Sequence, residues 1–547
     1  MRFRVNPLSL HLPATLRRAA RVLRGRRAAR ALDLHDRAGI DRLLADVGIP
    51  PLAAARRDGS PLRGHAVYDL RDDVRRAHPL ALTPAGRGDY LRWFLRNGRH
   101  ETAATFADVL AALLEHDVTP DRGLAASYLV HPEWQARCPA ALTPAGWGDF
   151  KRWLAAEYDL SGRWLRRATL PPEFASPPAR PAFGANVVGL FRYPSGLQAA
   201  ALATVEALES AGVATASRDV PTAHARATLS RRGFLGREPF PVTILTSGLD
   251  ISVADAYRVA GLHPRAGVHR VAVWWWELDR LPAEWHDRGR EVDEVWAPTA
   301  FIAGAVRSLG KPVHLMPPSV ELPAFAAAPK AAFGLDPGKF TFLFVFDMNS
   351  RMARKNPLAL VRAFRRAFRP GDPVELAIKV GSQEAHYAEN WRALRATCAA
   401  AAGVRLIDRA LSRADLLALV GAADAYVSLH RSEGFGLTMA EAMLLGKPTA
   451  ATAYSGNTDF MTAENSYPVD YKLVAVDTPE IAAPPGAVWA DPSVDHAAAV
   501  MAEIVARPDE ARERGRLAAA ELREKLSHRA AGERMAARLR AIHEERR

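Results

Sequence analysis

Two carboxylates, Glu433 and Glu441, stand eight positions apart and bracket the turn Gly434-Phe435-Gly436. The residues before them, Asp424 to His430, read as a strand. Thr438 to Leu445 read as a short helix stopped by Gly446 and Pro448. A strand, a glycine turn and a helix N-terminus together build a site for an anion. Backbone N–H groups from Gly434, Phe435, Gly436 and Leu437 can meet a phosphate or sugar oxygen there, and glycine lets a ligand come close. Glu441 falls in the first turns of the helix, where its charge is tolerated and where it can accept hydrogen bonds from a diol. His430, at the strand end, is expected to face the same cleft; a satisfied structural histidine is the alternative.

A second constellation runs from Phe346 to Pro357, after an apolar strand at Phe340–Phe346. Asn356 is expected to cap a helix that begins at Pro357 and continues through Leu358–Phe368. Arg354 and Lys355 then stand just ahead of a helix N-terminus, an arrangement that suits a diphosphate. Ser350 lies earlier in the same loop. A third element, Ser455-Gly456-Asn457, follows another strand and is expected to line the nucleotide end of the cleft, with a plain turn as the alternative.

The spaced glutamates resemble the E-x7-E signature of retaining glycosyltransferases of family 4, which have the GT-B fold. The segment Arg354-Lys355-Asn356-Pro357 resembles the diphosphate site of the same family. The resemblance implies that Glu433 lies beside the donor sugar, that Glu441 holds the ribose hydroxyls, and that Arg354 and Lys355 meet the diphosphate. Many members carry a Gly-Arg pair where this chain has Phe346-Asp347, so one expected arginine is missing. Ser455-Gly456-Asn457-Thr458-Asp459-Phe460-Met461 resembles a loop of a subgroup that also has Phe-Asp at that point.

The N-terminal half offers weaker signals. Ser195 and Gly196 open a helix after the first strand, where family members place a glycine-rich loop. Trp274-Trp275-Trp276-Glu277 closes another strand. Trp276 and Glu277 are expected on the acceptor side, Glu277 bonding hydroxyls, while strand alternation assigns Trp275 to the core.

The elements that must position these groups follow from periodicity. Strand-like runs alternate with helices from Asn186 to Met316 and again from Phe340 to Ala453, the pattern of two doubly wound parallel sheets. The fold class expected is α/β: GT-B, two Rossmann-like domains facing a cleft, plus an N-terminal mostly helical accessory domain. The divisions expected are a basic segment at 1–32, a helical accessory domain at 33–168, a Pro-rich linker at 169–184 and an N-terminal acceptor domain at 185–320. A nucleotide-sugar domain at 336–510 and a C-terminal helix at 511–547 complete the chain. The accessory region holds a repeat, since Pro79–Trp93 returns as Pro139–Trp153 at an offset of 60 residues. Thr83 and Thr143 are expected to cap helices that start at the following prolines, with Trp93 and Trp153 on their buried sides.

Charge is uneven. Residues 1–30 hold nine arginines and no acid, which leaves +4 of the formal +13 for the rest. The body is therefore not a basic nucleic-acid binder. The arginine-rich head either lies on anionic lipid or is a disordered basic tail. Two cysteines rule out a disulfide framework and a cysteine zinc site, and no long apolar run predicts a membrane span. A cytoplasmic protein, peripheral to a membrane in the lipid reading, is the expectation.

The resemblance implies transfer of a hexose-type sugar from a nucleotide diphosphate sugar donor to a hydroxyl of a glycan or glycolipid acceptor. The resemblance implies retention and a role in cell-surface polysaccharide or lipopolysaccharide synthesis. No metal ligand set and no cofactor is expected, the leaving charge being met by Arg354 and Lys355. A sugar-nucleotide epimerase, a phosphorylase and a non-catalytic glycan-binding scaffold remain alternatives.

Overall fold

The computed structural model describes residues 67–68, 71–98, 101–102, 120–175 and 183–546, less positions 194, 221, 223–233, 235, 237, 249–250, 261, 263–266, 382–387 and 482. The basic segment 1–32, the start of the accessory region and residues 176–182 of the linker lie outside the described residues.

Six strands form the first sheet: β1 (Gly184–Gly189), β2 (Ala214–Asp219), β3 (Val242–Gly248), β4 (His269–Trp275), β5 (Glu294–Ala297) and β6 (Val313–Leu315). All pairs are parallel, in the order β2-β1-β3-β4-β5-β6. β1 and β3 are buried nearly throughout, as strands covered on both faces must be. The sequence reading missed β2 because its Ala-Thr-Ala-Ser-Arg-Asp run is polar and half-exposed at an edge.

The second sheet contains β7 (Phe340–Asp347), β8 (Val374–Gly381), β9 (Val404–Ile407), β10 (Ala425–Ser428), β11 (Thr449–Thr452) and β12 (Tyr467–Val469). Read from its far edge, the order is β9-β8-β7-β10-β11-β12. This is the doubly wound nucleotide-binding order, whose winding reverses between β7 and β10. Loops leaving the carboxyl ends of those two strands flank a crevice at the reversal. An antiparallel hairpin, β13 (Tyr471–Ala475) with β14 (Val488–Pro492), follows.

The C-terminal helices tie the two halves together. Pro508–Lys525 buries Ala511, Ala518 and Leu522 in the core of the second domain. His528–Glu545 instead buries Met535, Leu539 and Ile542 against Val205 and Leu208 of the helix Gly196–Ser210, in the first domain. Arg538 on that last helix bonds the buried Glu294 of β5 at 2.6 Å. Burial raises the Glu294 carboxyl, but His269, Arg538 and the Trp296 indole outweigh it and hold it down at about 2. Two Rossmann-like domains around a cleft, with the last helix returning to the first, make the GT-B fold.

In the accessory region the repeat is larger than the sequence match. Tyr68 donates to the carbonyls of His78 and Pro79, and Tyr128, also 60 residues on, donates to those of Cys138 and Pro139. The copies are joined where the Tyr68 hydroxyl meets His131 Nε2 at 3.1 Å. The expected caps are corrected. The helices begin at Arg87 and Trp147 rather than at the prolines; Thr83 and Thr143 bond back to Leu80 and Ala140, and Thr143 Oγ1 also accepts from the Gly146 amide at 3.0 Å in the turn ahead of its helix. Trp93 and Trp153 are half-buried. Arg218 of β2 docks the region by donating to the Leu129 carbonyl at 3.0 Å.

Candidate active site

The loops after β7 and β10 meet at the winding reversal. The amide of Arg431 donates to the Arg354 carbonyl at 2.8 Å, which joins them through the backbone. Arg354 and Lys355 end the short helix Met352–Lys355, and Asn356 reverses the chain before the helix Pro357–Ala367. Asn356 takes the cap position expected, but its side chain makes no cap bond. Its backbone is left-handed (φ 53°), which asparagine tolerates, and its side chain instead donates to the Leu429 carbonyl at 3.0 Å. Leu360, Val361 and Phe364 anchor that helix in the core, each contributing about 1.5–3 kcal/mol by burial. A cavity of about 400 Å³ lies beside the turn, lined by Met352, Asn356, Arg431, Val474, Thr478 and Trp489.

The side chains of Arg354 and Lys355 converge on Glu433. Lys355 Nζ contacts one carboxylate oxygen and Arg354 Nη1 lies 3.2 Å from the other. Arg354 Nη1 also donates to the Ser432 carbonyl at 2.9 Å. All three charged groups are nearly buried, with side chains 3%, 13% and 11% exposed for Arg354, Lys355 and Glu433. Burial alone would raise the Glu433 carboxyl; Lys355 and Arg354 overcome it and hold the group down at about 2. Glu433 is therefore a carboxylate throughout the neutral range. Burial and the neighbouring Arg354 push the Lys355 ammonium below its ordinary value, against the pull of Glu433.

Glu433 is held from below by the Ser455–Asn457 loop. Its amide donates to Ser455 Oγ at 2.7 Å, and its carbonyl accepts from the Gly456 amide at 2.9 Å. Ser455 adopts φ 75° and ψ −152°, a conformation almost confined to glycine. A Cβ on Gly456 would lie 2.1 Å from the Gly434 carbonyl oxygen, so only glycine fits. These residues thus position the acid. Asn457 does not line the cleft: it is buried, donating to the Thr452 carbonyl and accepting from His430 Nε2 at 3.0 Å.

The same bond corrects His430. The ring is fully buried, meets Ser428 Oγ through Nδ1 at 3.1 Å, and burial pushes it below its ordinary pKa, so it is a neutral structural histidine. The Phe435 ring packs on Phe460 at 4.9 Å in the core, which leaves only its amide for a ligand. Among the described residues no hydrogen bond uses the amides of Gly434, Phe435 or Gly436 as donors. Gly436 supplies the left-handed turn (φ 99°) into the helix Leu437–Leu444. Leu437 is half-buried, and Ser350 closes the 3-10 turn Met348–Ser350 in a half-buried position.

Glu441 lies in the middle of that short helix and is buried. Arg413, the first residue of the helix Arg413–Ala422, clamps it through both guanidinium ends, one at 3.1 Å. The sequence reading missed Arg413 because nothing in the spacing of 28 residues marks the pair. A bidentate partner leaves carboxylate lone pairs for a diol.

On the first domain, Ser195 caps the helix Gly196–Ser210 by accepting from the Gln198 amide at 3.2 Å, and a Cβ on Gly196 would meet nothing. The Ser195 hydroxyl donates to the Tyr193 carbonyl, so both of its bonds stay within this loop. The Trp–Glu segment behaves differently. Trp274, not Trp275, is the fully buried ring: β4 is covered on both faces, with Val271 and Val273 in one core cluster and Ala272 and Trp274 in the other, and Trp275 is its last residue. Trp275 is half-buried between the domains. Trp276 donates its indole N–H to the Arg280 carbonyl and packs edge-on against Trp285 at 5.0 Å. Glu277 crosses the cleft to Arg354 at 2.9 Å, and its carbonyl accepts from Ser432 Oγ. Thr299 Oγ1 donates to the Gly434 carbonyl at 3.0 Å and the Ala300 amide to Asp459 at 2.8 Å, closing the same seam. Neither Ser432 nor Thr299 was expected, since both read as ordinary loop residues. Among the described residues no cluster of three His, Cys, Asp or Glu is placed to hold a metal ion, and no helix is long and apolar enough to cross a membrane.

No curated protein matches the chain. Solved structures similar to it include Staphylococcus aureus TarM (S. aureus) in complex with UDP, at 13% identity and a TM-score of 0.39, covering 55% of this chain and 56% of that one. Anabaena HepE with UDP and glucose aligns at 13% identity and a TM-score of 0.45, over 66% of this chain and 100% of that one. Sucrose-phosphate synthase from Thermosynechococcus elongatus aligns at 16% and 0.47, over the same shares. The chain thus spans little more than half the length of TarM. Residues 339–483, which carry β7 through β13 and every charged group of the Glu433 cluster except Glu277, match the family model "Glycosyl transferases group 1".

Proposed function

We propose that the protein is a retaining glycosyltransferase that moves a hexose-type sugar from a nucleotide diphosphate sugar to a hydroxyl of a glycan or glycolipid. The observation that carries the reading is the buried Glu433–Arg354–Lys355 cluster at the winding reversal of a domain that matches the group 1 glycosyl transferase model. In this reading the diphosphate meets Arg354, Lys355 and the unused amides of Gly434–Gly436. Glu441 accepts from the ribose hydroxyls beside Arg413. The bond from the anomeric carbon to the phosphate oxygen breaks, and its electron pair leaves on the diphosphate, whose charge the two cations stabilise without a metal ion. The acceptor oxygen attacks the same face, and its proton passes to the departing phosphate oxygen. The fixed charge of Glu433 orients the sugar and is no nucleophile here. Retention and the surface-polysaccharide context rest on the E-x7-E resemblance. The acceptor side, including Ser195, Gly196 and Trp276, belongs to the first domain.

The test is a calorimetric panel of UDP-, GDP-, dTDP- and ADP-sugars against the wild type and Glu441→Ala. One nucleotide class binding the wild type, with affinity lost in the variant, is the expected result. Wild-type affinity retained by the variant overturns the ribose assignment, and no binding of any donor overturns the reading. The anomeric configuration of the product, read by NMR, decides retention.

A further inference from the structure

This inference rests on the donor-site reading of Arg354. Four charged groups share one cluster: Arg354 and Lys355 against Glu433 and Glu277. Their formal charges cancel. A diphosphate arriving at this point meets a neutral assembly, which is a poor anion site. Three of the four groups are nearly buried. Glu277 is 47% exposed, so it is the member that water and a ligand reach. It also comes from the other domain, two residues past the end of β4. Removing it alone leaves the cluster at +1 and frees Arg354 Nη2, 2.9 Å from the Glu277 carboxylate.

Two further observations point to an incoming acceptor group. Arg354 Nε is buried and donates to nothing, and so is the indole N–H of Trp275, two residues before Glu277. A buried guanidinium with an unused N–H is costly unless something pairs with it. A phosphate takes a guanidinium through two parallel N–H bonds to two of its oxygens, one of which comes from this N–H when Nη2 supplies the other.

We propose that Glu277 is a placeholder anion. It pairs with Arg354 until a donor's diphosphate takes the guanidinium, and its carboxylate is then free in the cleft on the acceptor side. The exchange makes donor binding free a first-domain carboxylate in the cleft, so donor precedes acceptor. A different role, in which Glu277 merely orients Arg354, predicts the opposite sign. Neutralising a placeholder strengthens nucleotide binding, whereas neutralising a positioning group weakens it.

The experiment measures UDP, GDP, dTDP and ADP binding by calorimetry on the full chain, for wild type, Glu277→Gln and Glu277→Asp, with thermal melts to verify folding. The nucleotide that binds wild type is expected to bind Glu277→Gln about two- to fivefold tighter, the range set by a half-exposed ion pair. Glu277→Asp, which keeps the charge on a shorter arm, falls between them. Equal or weaker binding by Glu277→Gln overturns the placeholder role and leaves the donor site standing. No binding by any variant overturns the donor site and this inference with it.

Discussion

The two Rossmann-like domains use the same strand–loop–helix unit for different ends. After β1, the chain enters its helix through Ser195, a conventional cap, and Gly196, whose missing side chain nothing crowds. After β7 and β10, the corresponding turns hold buried charges on strained backbone. Of the five non-glycine residues with positive φ among those described, Arg351, Asn356 and Ser455 border the Glu433 cluster. At Arg351 and Ser455 such conformations cost of order 1–3 kcal/mol each and persist where surrounding structure enforces them. The difference teaches that a helix N-terminus is common, while one supplied with buried cations and a fixed carboxylate is built. It suits the donor chemistry proposed above to the second domain and leaves the first to meet it along the seam through Thr299 and the Glu277 backbone carbonyl.

The comparison can be broken most sharply at Glu433. Glu433→Gln leaves Lys355 buried without its anion and Arg354 with Glu277 alone, so transfer is expected to fall by about 10²–10³ and stability by about 3 kcal/mol. Steady-state kinetics and urea denaturation measure both, and near-wild-type turnover would remove the site. Next come the paired glycines. Gly456→Ala forces a Cβ onto the Gly434 carbonyl oxygen and should cost more than about 2 kcal/mol, whereas Gly196→Ala should be neutral or stabilising by up to about 1 kcal/mol. Similar melting temperatures for the two variants would mean that the loops are equally permissive.

The serines sharpen the contrast further. Ser195→Ala loses a cap and about 1 kcal/mol. Ser455→Ala loses the bond from the Glu433 amide, at a similar cost in stability, and is expected to lower kcat as well. A kcat unchanged in Ser455→Ala would deny that loop its positioning role. The smallest effect is a pH dependence. Burial depresses the His430 pKa below 6.5, so below that value the unfolded chain binds a proton that the folded one refuses. The stability this group contributes is whole above pH 6.5 and is lost as pH falls, by at most about 1.4 kcal/mol per pH unit. His430→Gln should flatten that slope, and superimposable wild-type and variant curves would count against it.

Much of this was legible beforehand. Ten of the twelve sheet strands stand out as apolar runs, because strands covered on both faces must be apolar along their length. β2 and β12 do not, being short or polar at the sheet edges. Glu433, Arg354 and Lys355 are marked by type and spacing next to glycine and proline punctuation. Two of the errors share one cause. His430 and Asn457 lie within a motif, and local sequence does not say which side of a turn faces solvent; packing against Ser428 and Thr452 turned both inward.

By itself, then, the sequence determined the alternation of strands and helices, the turns that glycine permits, and the kinds of charge available at each strand end. These are local matters of backbone freedom and hydrophobic period. Only the tertiary structure decided which charges meet. Glu433 with Lys355, Glu441 with Arg413 and Glu277 with Arg354 are separated by 78, 28 and 77 residues. Their pairing depends on winding order and domain closure, since Coulomb attraction acts through space and takes no account of distance along the chain.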